Sequence, residues 1–141
     1  MIKDKQTVMV DALREKSMSF AIEIVELYKR LSLKREYVLS RQLLKAGTSV
    51  GANLREAKNA QSPMDFISKN AIAQKECDET LYWLELLYKT NYISASEYEH
   101  LASQADELLR MIRSTILTKK KNLGIQKQPS GIVHPSSFII K

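Results

Sequence analysis

Few residues of this chain combine a reactive side chain with a spacing that chemistry could use. Its single cysteine, Cys77, shares a helical stripe with Phe66, Ala73, Leu81 and Leu84 and reads as a buried core thiol. The two histidines, His100 and His134, have no second histidine three or four residues away, so neither opens a paired-histidine metal site on one helix face. Glycine-rich phosphate loops and serine elbows are absent. Glu76 and Glu79 stand beside Trp83 with Lys69 and Lys75 in helical reach, yet no further group converges on them as a general acid or base requires. No catalytic residue, metal or cofactor is assigned, and the expectation is a binding protein without enzymatic activity.

Cationic side chains are what the sequence does supply. There are 22 basic and 16 acidic residues, a formal net charge of +6, which favours polyanionic partners. Between Lys34 and Ala60, six basic residues (Lys34, Arg35, Arg41, Lys45, Arg55 and Lys58) face two acids, Glu36 and Glu56. Arg41, Lys45, Thr48, Ala52, Arg55 and Asn59 recur at helical spacing away from the apolar positions. Such a stripe is either a solvated face or a phosphate track, with Arg41, Lys45 and Arg55 as the nucleic-acid contacts. No aromatic residue interleaves it, so base-specific reading gains no support. Asn53, at the edge of the apolar stripe, together with Glu56, Glu76 and Glu79, is expected to form a partly buried polar network. Ile72, Trp83 and Leu86 lie roughly a quarter to a third of a turn off the core stripe of their helix, and Tyr37 and Leu44 lie off theirs. The Ile72–Trp83–Leu86 flank points to a homo-oligomer interface.

The elements that position these residues are helices. Residues 1 to 122 contain only Gly47, Gly51 and Pro63 as breakers, too few for a sandwich or barrel, and the hydrophobic fraction of 44% suffices for a core. Leu13, Ser17, Phe20, Ile24, Leu27 and Leu31 define a first helix from about Asp4–Asp11 to Leu31. Leu39, Leu43, Ala46, Val50, Asn53/Leu54 and Ala57 define a second, from about Lys34 to Ala60. Phe66, Ala73, Cys77, Leu81, Leu84 and Tyr88 define a third, opened by the capping sequence Ser62-Pro63-Met64-Asp65. Tyr98, Leu101, Ala105, Leu108/Leu109, Ile112 and Ile116 define a fourth, opened by Ser94-Ala95-Ser96-Glu97 and ending near Lys121. Short connections make successive helices antiparallel, giving an all-α, up-down-up-down four-helix bundle over residues 1–122. Residues 123–141 form an extended, Gly/Pro/Ser-punctuated tail ending in Phe138-Ile139-Ile140, read either as unfolded or as held by the bundle or a neighbouring subunit. With one cysteine, no secretory leader and no apolar run of membrane-spanning length, the expected location is the cytoplasm.

Three linked segments carry a family resemblance: Ser49-Val50-Gly51-Ala52-Asn53-Leu54-Arg55-Glu56-Ala57, then Ser62-x-x-Asp65-Phe66, then Lys75-Glu76-Cys77-Asp78-Glu79-Thr80-Leu81-Tyr82-Trp83-Leu84. Over about residues 10 to 121 the chain resembles the 23S rRNA-intervening-sequence proteins. Their usual first segment ends in Ala-Glu-Gly, and Arg55-Glu56-Ala57 places this chain with the Glu-Ala form. The resemblance implies a small bacterial four-helix protein. It extends to the accessory protein of diversity-generating retroelements, a pentameric, positively charged barrel that engages nucleic acid and a reverse transcriptase. A pentamer is therefore expected here, binding RNA or another nucleic acid. The alternative is a protein-interaction scaffold whose charge is incidental.

Overall fold

A computed structural model describes residues 2–125 of the chain. The helices are α1 (Lys5–Leu33), α2 (Val38–Lys58), α3 (Pro63–Lys89) and α4 (Ala95–Asn122), and no strand occurs among the described residues. Each helix lies beside its two neighbours in the closed cycle α1–α2–α3–α4, so the bundle is the expected antiparallel one. The α2–α3 contact is the most extensive and the α1–α4 seam the least. The seam is pinned by polar pairs along its length, with Arg30 paired to Glu97, Glu23 to His100 and Gln104, and Lys16 to Glu107. The expected tail lies outside the described residues from 126 onward.

Local chemistry sets the helix ends. Asp4 caps α1 through Thr7 N–H (2.7 Å), Ser62 caps α3 through Asp65 N–H (3.0 Å) and Ser94 caps α4 through Glu97 N–H (3.1 Å). The start of α2 differs from the sequence reading, which placed it at Lys34. α1 instead runs to Leu33 and closes with Arg35 in the left-handed region (φ 64°), Arg35 N–H donating to Ser32 O and Glu36 N–H to Leu31 O. Glu36 then folds over the next helix: its carboxylate accepts from Val38, Leu39 and Ser40 N–H at 3.1, 3.0 and 2.6 Å. Three otherwise orphan donors of α2 are thus satisfied by one buried acid. Asn91 (φ 68°) ends α3 and Gly124 (φ 75°) ends α4 in the same left-handed manner.

The core matches the α1 stripe residue for residue: Leu13, Ser17, Phe20, Ile24, Leu27 and Leu31 are buried. On α3 the buried set is Ile67, Asn70, Ala73, Cys77, Thr80, Leu84 and Leu87. The expected Phe66, Leu81 and Tyr88 are only half-buried, Phe66 because it stands in the first turn at the open end of the bundle. Two polar residues could take interior places because each bonds its own helix: Asn70 Nδ2 donates to Phe66 O (3.0 Å) and Thr80 Oγ1 to Glu76 O (2.7 Å). Tyr88 is drawn to the edge by stacking on Tyr98 of α4 at 4.9 Å between centroids.

Glycine decides how close α1 and α2 come. A Cβ at Gly47 would stand 2.9 Å from Cγ2 and 3.0 Å from Cγ1 of Ile24, a side chain with no exposed surface to retreat into. At Gly51 its nearest neighbours would all belong to Ser17, Oγ at 3.3 Å and Cβ and the backbone O at 3.7 Å. Gly47→Ala is therefore expected to destabilise by about 1–2 kcal/mol, the overpacking cost exceeding the gain in helix propensity. Gly51→Ala is expected to be close to neutral; equal effects in urea unfolding would contradict this packing. Glu36→Ala, which removes the acceptor of three first-turn amides of which only that of Ser40 is buried, is expected to cost about 1–2 kcal/mol in the same measurement.

Candidate nucleic-acid interface

α2 presents two faces of opposite character. Its inward face is built of small or aliphatic residues: Leu43, Ala46, Gly47, Val50, Leu54 and Ala57 are buried. Burial of that face fixes the rotation of the helix and turns Arg41, Lys45, Ala52 and Arg55 outward, where all four are exposed. Thr48 on the same stripe is half-buried, its hydroxyl donating to Leu44 O at 2.7 Å, and Asn59 is exposed. Among the described residues none of Arg41, Lys45 and Arg55 takes part in an ion pair, although seven other lysines and arginines do. At 1.5 Å rise per residue, Arg41 and Arg55 stand about 21 Å apart along the axis. The result is a row of solvated cations free to meet an anion.

The four residues expected to form a polar network answer to separate partners within one chain. Asn53 Nδ2 donates to Ser49 O of its own helix at 2.8 Å. Glu79 accepts from Trp83 Nε1 at 3.1 Å, again within one helix. Glu56 forms an ion pair with Lys69 across the α2–α3 contact at 2.9 Å, which raises the Lys69 pKa. Glu76 is half-buried and contributes its backbone carbonyl to Thr80. No hydrogen bond joins these four side chains to one another among the described residues. On the proposed interface flank, Ile72, Trp83 and Leu86 are half-buried, with Trp83 packed on the core and Tyr82 edge-on to it at 5.0 Å. Tyr37 is exposed and Leu44 half-buried.

Reactive groups are placed apart. Burial pushes the Cys77 thiol up to about 12, with Asp78 and Asp106 adding to the shift, and its Sγ donates to Ala105 O at 3.3 Å. The sequence reading passed over one spacing that di-metal bundles use, Glu97-x-x-His100. Glu97 is paired with Arg30 and His100 with Glu23, and among the described residues no three of His, Cys, Asp or Glu gather to hold a metal ion. No helix of the described residues is long and apolar enough to cross a membrane.

The family model of the 23S rRNA-intervening sequence protein matches residues 12–114, from the first core turn of α1 to the last turns of α4. The chain belongs to that family. A crystal structure at 1.70 Å of a protein of unknown function from the S23 ribosomal protein family of Bacteroides thetaiotaomicron VPI-5482 is 46% identical, with a TM-score of 0.76. The likeness covers 77% of this chain and 98% of that one. No curated protein matches the chain. The match to the 23S rRNA-intervening sequence family thus spans all four helices, both faces of α2 and the Trp83 flank.

In the native protein Cys77 is expected to resist alkylation at pH 8 about a thousand-fold relative to an ordinary thiol, because so little thiolate is present. Denaturant should restore normal labelling. Ready labelling of the folded protein would contradict the placement of Cys77 in the core.

Proposed function

We propose that this family member is a non-enzymatic, oligomeric RNA-binding protein of the bacterial cytoplasm, with the outward stripe of α2 as its phosphate-binding surface. The observation that carries the reading is that Arg41, Lys45 and Arg55 are all exposed and, among the described residues, have no carboxylate in ion-pair range. A lone cation would bind RNA weakly, because each phosphate contact contributes little and is screened by salt. Repetition of the stripe by symmetry, with the Ile72–Trp83–Leu86 flank as the contact between copies, supplies the number of contacts that useful affinity needs; a ring of five is the assembly we favour. The family's naming for the 23S rRNA intervening sequence supports RNA as the polyanion.

A protein-interaction scaffold is the competing reading, favoured by the half-buried Trp83 flank. The triple variant Arg41→Glu, Lys45→Glu, Arg55→Glu separates the two. Its helical signal and its mass by light scattering, several times 16.1 kDa for the parent, should be unchanged, since none of the three touches the core. RNA retained by the parent from nuclease-free lysate should be lost. Retention equal to the parent's would transfer the weight to the scaffold reading, and a parent of monomeric mass would remove the symmetric surface.

A further inference from the structure

One concavity lies at the end of the bundle where α2 turns into α3 and α4 terminates. It is a shallow, open depression of about 320 Å³, at the small end of the ~300–1,000 Å³ range of small-ligand sites. Ala57, Ala60, Pro63 and Phe66 line it, together with two lysines from different helices, Lys58 of α2 and Lys119 of α4. Neither lysine is in an ion pair among the described residues. Lys119 belongs to the last turn of α4, where a cation complements the helix dipole, but its side chain reaches across to α3 and places Nζ 5.1 Å from the centroid of Phe66.

The acids around this notch are already committed. Glu56 is bound to Lys69 at 2.9 Å, and Asp65 accepts from Gln61 N–H at 3.3 Å as part of the α3 cap. Ser62 as N-cap and Asp65 in the first turn of α3 are occupied by capping bonds, which leaves Lys58 and Lys119 as the charged side chains lining the notch. Lys58 also follows Arg55 by three residues on α2, which brings the outward stripe to the lip of the notch. Two lysines without a carboxylate partner among the described residues, one of them held over Phe66, and small neighbouring side chains describe a notch for a phosphate with part of its nucleotide.

We propose that the Lys58–Lys119 notch is a nucleotide-phosphate site that seats one phosphate of the RNA bound along α2. It rests on the RNA reading given above and extends it from the side of the bundle to its end.

The alanine methyls of the wall provide the test. In protein carrying 13C-methyl alanine, adenosine 5′-monophosphate should shift the Ala57 and Ala60 signals with an affinity of about millimolar order and leave Ala105 in the core unmoved. Adenosine, which lacks the phosphate, should leave all three unmoved. Lys58→Gln/Lys119→Gln should abolish the response and lower affinity for single-stranded RNA about tenfold at low salt. Removing two cations elsewhere, as Lys75→Gln/Arg110→Gln, should lower it less than about twofold, and Lys58→Arg/Lys119→Arg should retain binding of both ligands. A response equal with adenosine, unchanged in the glutamine variant, or matched in RNA loss by the control pair overturns the notch while leaving the stripe standing. A parent that binds no RNA overturns the stripe and, with it, RNA as the source of the phosphate.

Discussion

The approach of α2 to Ile24 of α1 is the contact on which the remaining arrangement depends. Gly47 lets the two backbones come as close as they do, since a single methyl there would stand 2.9 Å from the Ile24 side chain. Two glycines in one helix cost about 1 kcal/mol each in propensity, and packing at the α1–α2 contact must offset that cost. Once α2 is seated by Gly47, Val50 and Leu54, its rotation is fixed to within a fraction of a turn. Arg41, Lys45 and Arg55 have then no choice but to point outward. Core and surface properties of α2 are two consequences of one helical period.

The start of α2 reinforces the same geometry. Glu36 neutralises the amide end of the helix from within, so the cations along its outer face are not drawn to a free acid at that terminus. Farther along, Glu56 is spent on Lys69. The acids of α2 and its approach are thereby tied to structural tasks, and among the described residues none of the stripe's cations is in an ion pair. Seven other lysines and arginines pair with acids on the surface of the bundle, so the unpaired state of the stripe is a local property and does not follow from net charge alone.

How much of this was legible in the sequence differs by element. The α1 stripe could be read as it folds because Leu13, Ser17, Phe20, Ile24, Leu27 and Leu31 keep one unbroken three-four spacing, whereas Val8, Met18 and Ile22 on the outer face do not extend into a second such run. α3 has apolar residues on more than one face, and its interior accepts Asn70 and Thr80 because both bond their own helix, so periodicity alone chose a stripe rotated toward Tyr88. The start of α2 was misplaced because Arg35 takes a left-handed conformation that sequence signals assign to glycine or asparagine, and because the cap is a glutamate acting over four residues. Exposure of Arg41, Lys45 and Arg55 follows from period, and so does the Glu79–Trp83 bond at four residues' spacing; the expected link between Asn53 and Glu79 does not form, since each is satisfied within its own helix. The notch was illegible for a further reason. Lys58 and Lys119 are separated by almost half the chain and meet only through three helix ends, although an unpaired lysine beside the Ser62-Pro63 turn was the signal available.

The central claim is that an uncompensated cationic face of α2 holds RNA by its phosphates. The most direct measurement is the affinity of the unmodified protein for an unstructured single-stranded RNA as a function of salt. Each phosphate neutralised contributes about 0.7 to the slope of log affinity against log salt, so three contacts on each of a few subunits predict a slope of several units that hardly changes with base sequence. A slope near zero, or affinity confined to one base sequence, would contradict the account.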